Sequence, residues 1–187
     1  IIAGFEIDVT KKIDLNVEGY LKNFSQLTTI NRNKIYDDIP SNYVKPDYLK
    51  RDFLIESGYA YGVDFLLKYD NNSVYIWLVY SLGWVKRDDG VNIYNPHYDR
   101  RHNVNLVTTY KFGNDDSWNV SARWNLGSGF PFTQTAGFYE ESDLFNSLNY
   151  PYWQNNGSLG IIYGDLNTGR LPYYHRLDLT LNKVLTF

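Results

Sequence analysis

The chain has 187 residues, 43% hydrophobic and 21% charged, with a formal net charge of −3 and neither cysteine nor methionine. That apolar content excludes wholesale disorder. The mild acidity lacks the basic footprint that nucleic acid rewards, and the missing cysteine excludes a disulfide framework, a thiolate metal site and a cysteine nucleophile.

The chain opens Ile1-Ile2-Ala3-Gly4, with no basic and apolar leader. Together with the absence of methionine, this leads us to expect an internal or processed piece of a longer product. Aromatic residues make up 18% of the chain, and 18 of them are Tyr. Such a balance suits a sugar-binding β-domain or an outer-membrane barrel with aromatic girdles. No run approaches the ~18–20 apolar residues of a membrane-spanning helix.

Seven strands are expected in chain order, at residues 1–9, 13–27, 58–69, 74–85, 101–112, 118–127 and 175–185. The signal is alternation with period two. Ile13, Leu15, Val17 and Leu21 share one parity, against Asp14, Asn16, Glu18 and Lys22 on the other. In the third strand the small residues Gly58, Ala60 and Gly62 line up with Asp64, opposite Tyr59, Tyr61, Val63 and Phe65. Residues 74–85 are apolar on both parities, so their faces stay undetermined. In the later strands Val104, Leu106 and Tyr110 oppose Asn103, Asn105 and Lys111. Trp118, Val120, Trp124 and Leu126 oppose Asn119, Arg123 and Asn125, and Leu177, Leu179 and Leu181 oppose Arg176, Asp178 and Asn182.

The connections alternate between short and long. Residues 10–12, 70–73 and 113–116 are short, and the last two carry the Asn, Asp and Gly of tight hairpins. Residues 28–57, 86–100 and 128–174 are long. Short turns at one end and long loops at the other are the habit of a transmembrane β-barrel, whose strands need about 9–11 residues to cross. Such barrels have an even strand number. Seven strands therefore read as an incomplete antiparallel transmembrane barrel, with short periplasmic turns and long extracellular loops, one polar lumen face and one lipid face.

His97, His102 and His175 lack the carboxylates that would complete a metal set, and Glu140, Glu141 and Asp143 read as solvated loop acids. No catalytic group, metal or cofactor is expected. Arg101, Arg123, Arg176 and Asp178 are expected at similar height on the lumen face, as a cross-strand ladder that also contacts whatever fills the lumen. The bare row of Gly58, Ala60 and Gly62, ending at Asp64, either leaves room there for a second body or relieves crowding or a kink in the strand, with equal weight. The longest loop concentrates Tyr139, Tyr150, Tyr152 and Trp153, with Phe138 and Phe145, as stacking surface for a ligand. A small β-excursion is expected at residues 159–163.

Four segments together resemble a known family. Gly58-Tyr59-Ala60-Tyr61-Gly62-Val63-Asp64 is similar to a G-x-A-x-G-x-E strand, with Asp in place of Glu. Pro96-His97-Tyr98-Asp99-Arg100-Arg101-His102-Asn103-Val104-Asn105 is similar to a P-x-Y-D-R-[RT]-H-x-x-N strand entry. Gly129-Phe130-Pro131-Phe132-Thr133 is similar to a G-x-P-[FY]-T segment, and Arg170-Leu171-Pro172-Tyr173-Tyr174-His175-Arg176-Leu177-Asp178 to an R-L-P-x-Y-x-R-L-D entry. In order and spacing the set resembles the C-terminal barrel of TonB-dependent outer-membrane receptors of Bacteroidetes-type bacteria, from about residue 15 onward.

The resemblance implies residues 1–187 to be part of a plugged barrel of about 22 strands, without the plug and the last strands. It implies a non-enzymatic receptor in the outer membrane that imports a scarce nutrient: an iron chelate, cobalamin, an oligosaccharide or a peptide. Its implied partners are outer-membrane lipid, TonB through the N-terminal part, and a surface lipoprotein over the loops, with no nucleic acid. The readings set against it are a soluble all-β carbohydrate-binding or structural domain, and an ungated porin-like channel.

Overall fold

The computed structural model describes residues 1–32, 34–141 and 158–185. It is all-β, with 66% strand and 5% helix. The strands in chain order are β1 (Ile2–Thr10), β2 (Ile13–Ile30), β3 (Phe53–Asn71), β4 (Val74–Asp88), β5 (Ile93–Tyr94), β6 (His102–Phe112), β7 (Trp118–Gly127), β8 (Pro131–Phe132), β9 (Thr135–Glu141), β10 (Ser158–Tyr163), β11 (Gly169–Arg170) and β12 (Tyr174–Lys183). One antiparallel sheet runs β1-β2-β3-β4-β6-β7-β12, with β5 added beside β4. Two small hairpin pairs, β9 with β10 and β8 with β11, lie in the long connection between β7 and β12. The main sheet does not close on itself: β1 and β12 are its edges.

Each expected strand is present within a few residues, except at the open ends of β2, β3 and β4. There the ladder continues past a bulge between Phe24 and Leu27, so that Leu27–Ile30 pair with 53–56. Alternation fades at Thr28-Thr29, which is why the sequence signal stops short of the pairing. At the opposite end the turns are tight. Gly113, Asp115 and Asp116 take positive φ, the region that glycine and short polar side chains enter most cheaply. The expected β-excursion is β10.

Register resolves the faces. Ile13, Leu15 and Val17 pair with Tyr69, Leu67 and Phe65, and these with Ile76, Leu78 and Tyr80. The same row continues through Leu106 and Val104 to Trp124 and Leu126, then to Leu177 and His175. We call this the apolar face. The opposite face carries Asp14, Glu18, Asp64, Asn105, Asn125, Arg123, Arg176 and Asp178.

Neither face is covered. Among the described residues the buried hydrophobic side chains are Ala60 and Tyr94 alone, whereas Leu177, Leu179 and Leu181 are 58%, 71% and 61% exposed. The accessible surface is 14014 Å² for 21.9 kDa. A compact monomer of that mass exposes about 9,300 Å². The sheet is therefore a single layer without the second layer that ordinarily supplies a core. Among the described residues no helix is long and apolar enough to cross a membrane.

Candidate functional site

The motif segments, scattered in sequence, meet at the loop end of the sheet. Asp99, whose side chain is fully buried, accepts a hydrogen bond from the Val85 N–H at 3.1 Å and pairs with the Arg170 guanidinium. Arg170 Nη1 also donates to the Asp99 carbonyl at 3.0 Å and to the Gly129 carbonyl at 3.3 Å. The Pro131–Phe132 pair with Gly169–Arg170 holds this arginine in place. Gly129 is needed because a Cβ there would collide with the Leu171 carbonyl oxygen. Arg100 stacks on Phe130, 4.3 Å from its centroid, and His102 N–H donates to Ser128 Oγ at 3.0 Å. One carboxylate thus ties the 86–100 and 128–174 connections to the top of β4.

A second buried carboxylate does the same beside it. Glu56 pairs with Arg87 and accepts from Tyr94 Oη at 2.7 Å. Arg87 reaches on to Tyr98 Oη at 3.1 and 2.9 Å. Burial, and then the bond to Glu56, raise the Tyr94 pKa above its ordinary 10.0, because both disfavour the phenolate. The 28–57 connection is closed by Asn31, whose amide donates to the carbonyls of Tyr48 and Arg51, both at 2.7 Å.

Between these knots opens a cleft of about 860 Å³. Arg32, Asp89, Asn92, His97 and Asp165 supply its polar groups, and Ile30, Leu54, Ile93, Tyr94 and Tyr163 its apolar ones. The Arg32 guanidinium lies 5.6 Å from the Tyr94 ring centroid. Asp89 Oδ1 is engaged by the N–H groups of Val91 and Asn92 at 2.9 and 2.7 Å, which fixes the rim. Volume and mixed lining suit a small polar ligand with an apolar side. Among the described residues no three His, Asp or Glu side chains gather as metal ligands.

The expected site residues fall in several places. Arg123 and Asp178 are direct register partners, and Arg176 Nε donates to Asp178 Oδ1 at 2.9 Å. Arg101 does not join them, a correction to the expected ladder. It precedes β6, level with Gly83, and its guanidinium lies 5.2 Å from the Trp84 ring centroid on the apolar face, with Asp99 at 3.8 Å. Strand alternation has ended there, so the ring and the buried carboxylate orient the side chain instead.

The row of Gly58, Ala60 and Gly62 is buried as expected for a crowded face, but by this sheet itself. A Cβ on Gly62 would lie 2.6 Å from Tyr20 Oη, and one on Gly83 2.7 Å from it. Tyr20 occupies the space that the sequence left for a second body; Asp64 stands beside it, with Glu18 as register partner. Tyr139 packs across Gly160 on the β9–β10 hairpin and is 49% exposed. Tyr150, Tyr152 and Trp153 lie outside the described residues. His102 is engaged on the apolar face, with Nδ1 2.9 Å from Tyr80 Oη.

Of the cleft residues, sequence reasoning singles out His97 alone, as a candidate metal ligand. Arg32, Asp89, His97 and Asp165 come from three loops, and no local pattern links them. The available signal was indirect: the motif segments at 96–101, 129–133 and 169–172 fasten two of those loops, while Asn31 and Glu56 hold the third. Comparison with protein-family profiles, with curated proteins and with solved structures gives no match to this chain.

Proposed function

We propose that this chain is part of the wall of an outer-membrane β-barrel of the TonB-dependent receptor type, which takes up a scarce nutrient and does no covalent chemistry. The carrying observation is the uncovered apolar face and its banding. Near the loop end it carries stacked rings: Tyr59 with Tyr61 at 6.2 Å, Tyr61 with Trp84 at 5.2 Å, Phe65 with Tyr80 at 6.0 Å. Near the turn end come Tyr110 with Phe112 at 5.6 Å and Phe112 with Trp118 at 6.1 Å. Between them lies a row through Leu15, Leu67, Leu78 and Leu106 that ends on Trp124 and Leu177.

From His102 to Phe112, strand β6 runs about 34 Å, or about 24–28 Å across a bilayer at the usual barrel tilt, against the ~25 Å apolar band of such proteins. Rings at both borders of an aliphatic belt have the spacing that lipid and its interfaces reward. The long loops, all at one end, carry the cleft, and the four motif segments support the receptor type. In this reading the cleft is where a nutrient is first met, and the polar face lines the lumen.

The test is partition. Expressed in an outer-membrane host, the protein should stay with the membrane after carbonate washing and need detergent for release. A monodisperse, detergent-free species would overturn the reading in favour of a soluble all-β domain.

A further inference from the structure

Alternation assigns Arg101 to the polar face, yet its guanidinium lies on the other side of the sheet, over the Trp84 ring at 5.2 Å. It finds no hydrogen-bond acceptor there. Among the described residues its polar neighbour is Asp99 at 3.8 Å, beyond hydrogen-bonding reach, and that carboxylate already serves Arg170 and the Val85 N–H. Arg101 Nε is buried without a partner, while 30% of the side chain stays open. A guanidinium is a planar fork of five donors, and a buried donor left unfilled calls for an explanation.

A second cation stands beside it. Lys86 follows Trp84 by two residues on β4, so it shares that face, opposite Tyr59 in the register. It is half-buried, and its ammonium has no partner among the described residues. Asp88, next on that side, accepts from the Gly90 N–H at 2.8 Å and pairs with neither cation.

The surroundings select the ligand. Tyr59, Tyr61 and Trp84 are the stacked rings at the loop-end border of the apolar face. In a bilayer such rings sit at headgroup depth. Phosphate is the common anion of that layer, and its oxygens match the guanidinium fork in pairs. At the turn-end border the cation over the ring is a lysine, Lys183, 4.7 Å from the Trp118 centroid.

We propose that Arg101 and Lys86 form a binding site for one phosphate-bearing lipid of the leaflet on the loop side. The guanidinium takes two phosphate oxygens, the ammonium takes a third, and the acyl chains run along Trp84 and Tyr61. Asp99 and the indole face hold the fork ready, which gives Arg101 a reason to leave its row. A lipid rather than a free anion is the occupant, because the site opens onto the apolar face and is walled by aromatic rings. The proposal rests on the reading that this face meets lipid.

The full protein, extracted from outer membranes in a mild detergent and washed, should retain one phosphate-bearing lipid per chain by native mass spectrometry. Arg101→Gln with Lys86→Gln should lower retention at least roughly tenfold. Lys86→Gln alone, which breaks no contact among the described residues, should lower it several-fold. Arg101→Lys keeps the charge without the fork and should fall between Arg101→Gln and the parent. Lys183→Gln should retain the parental amount. Equal losses in Lys183→Gln and the double variant, or no loss in either, would overturn the site.

After delipidation, dioctanoyl phosphatidic acid should bind at least roughly tenfold more tightly than either dioctanoylglycerol or inorganic phosphate. Parity with dioctanoylglycerol would overturn the phosphate, and parity with inorganic phosphate would overturn the lipid in favour of a free anion. Resistance to carbonate washing reports assembly of each variant. A protein that needs detergent yet retains no lipid would overturn the site alone, whereas a monodisperse, detergent-free protein would overturn the lipid reading and the site with it.

Discussion

Replacing Asp99 by Ala removes one small side chain and unties two long connections. Its carboxylate takes the Arg170 guanidinium and the Val85 N–H, with Arg101 at 3.8 Å. A charge-assisted hydrogen bond contributes about 1.5–3 kcal/mol, and a buried donor left without a partner costs about 1–3 kcal/mol. Arg170 remains 30% exposed in its side chain, so water recovers part of the loss. The expected cost is about 3–4 kcal/mol, near the lower end for breaking a buried pair. Asp99→Asn keeps an acceptor for Val85 and should cost about 1 kcal/mol less. Urea unfolding in lipid, with Lys34→Ala as the exposed comparison, measures this. Lys34 pairs with Asp52 at 2.6 Å on the surface, a kind of contact that contributes only about 0–1 kcal/mol. Hydrogen exchange should localise the change to β8, β11 and the top of β4. If Asp99→Ala is no worse than Lys34→Ala, or loosens the sheet uniformly, the account of one carboxylate fastening the loops is wrong.

On the apolar face, Leu179→Arg should cost about 2–4 kcal/mol in lipid, Val120→Arg, level with Tyr110 at the turn-end border, less, and Asn182→Arg or Ser121→Arg least; equal costs would refute the two-faced sheet. Gly62→Ala should cost about 1–3 kcal/mol by overpacking. Tyr20→Ala should recover only part of that cost in the same unfolding assay, because the Leu82 carbonyl oxygen also lies 2.5 Å from the added Cβ. The Tyr94 contribution is fully present below about pH 10, the ordinary tyrosine value, and is lost as pH rises through the higher folded value. Tyr94→Phe should therefore flatten the alkaline limb of the stability profile relative to the parent. Deleting residues 140–157 should leave sheet assembly intact and weaken uptake, measured with labelled nutrient; parental uptake would remove that loop from recognition.

Strand existence, order and facing were legible in the sequence, because in β-structure alternation is a local property and each side chain's parity assigns its face. Asp14 and Ile13 declare their sides without reference to any neighbour. The turn at 113–116 was equally legible, since glycine and aspartate relieve a local steric constraint. Residues 74–85 were not, because an apolar residue on either parity says only that something covers it. Pairing with Leu66 and Val107 was needed to place Val79 and Trp77 on the otherwise polar face.

Tertiary structure also decided where the loops meet. Asp99 and Arg170 stand 71 positions apart, and their pairing exists only because the β8–β11 pair brings Arg170 to the loop ahead of β6. Arg101 departs from its expected row for the same reason: beyond the ladder, a buried charge and an aromatic face outweigh alternation. Gly58 and Gly62 announced empty space, yet only the neighbouring strand could show that Leu27 approaches the first and Tyr20 fills the second. Sequence periodicity records the direction of each side chain relative to its own backbone, whereas which side chains share a volume depends on register and loop closure between distant residues.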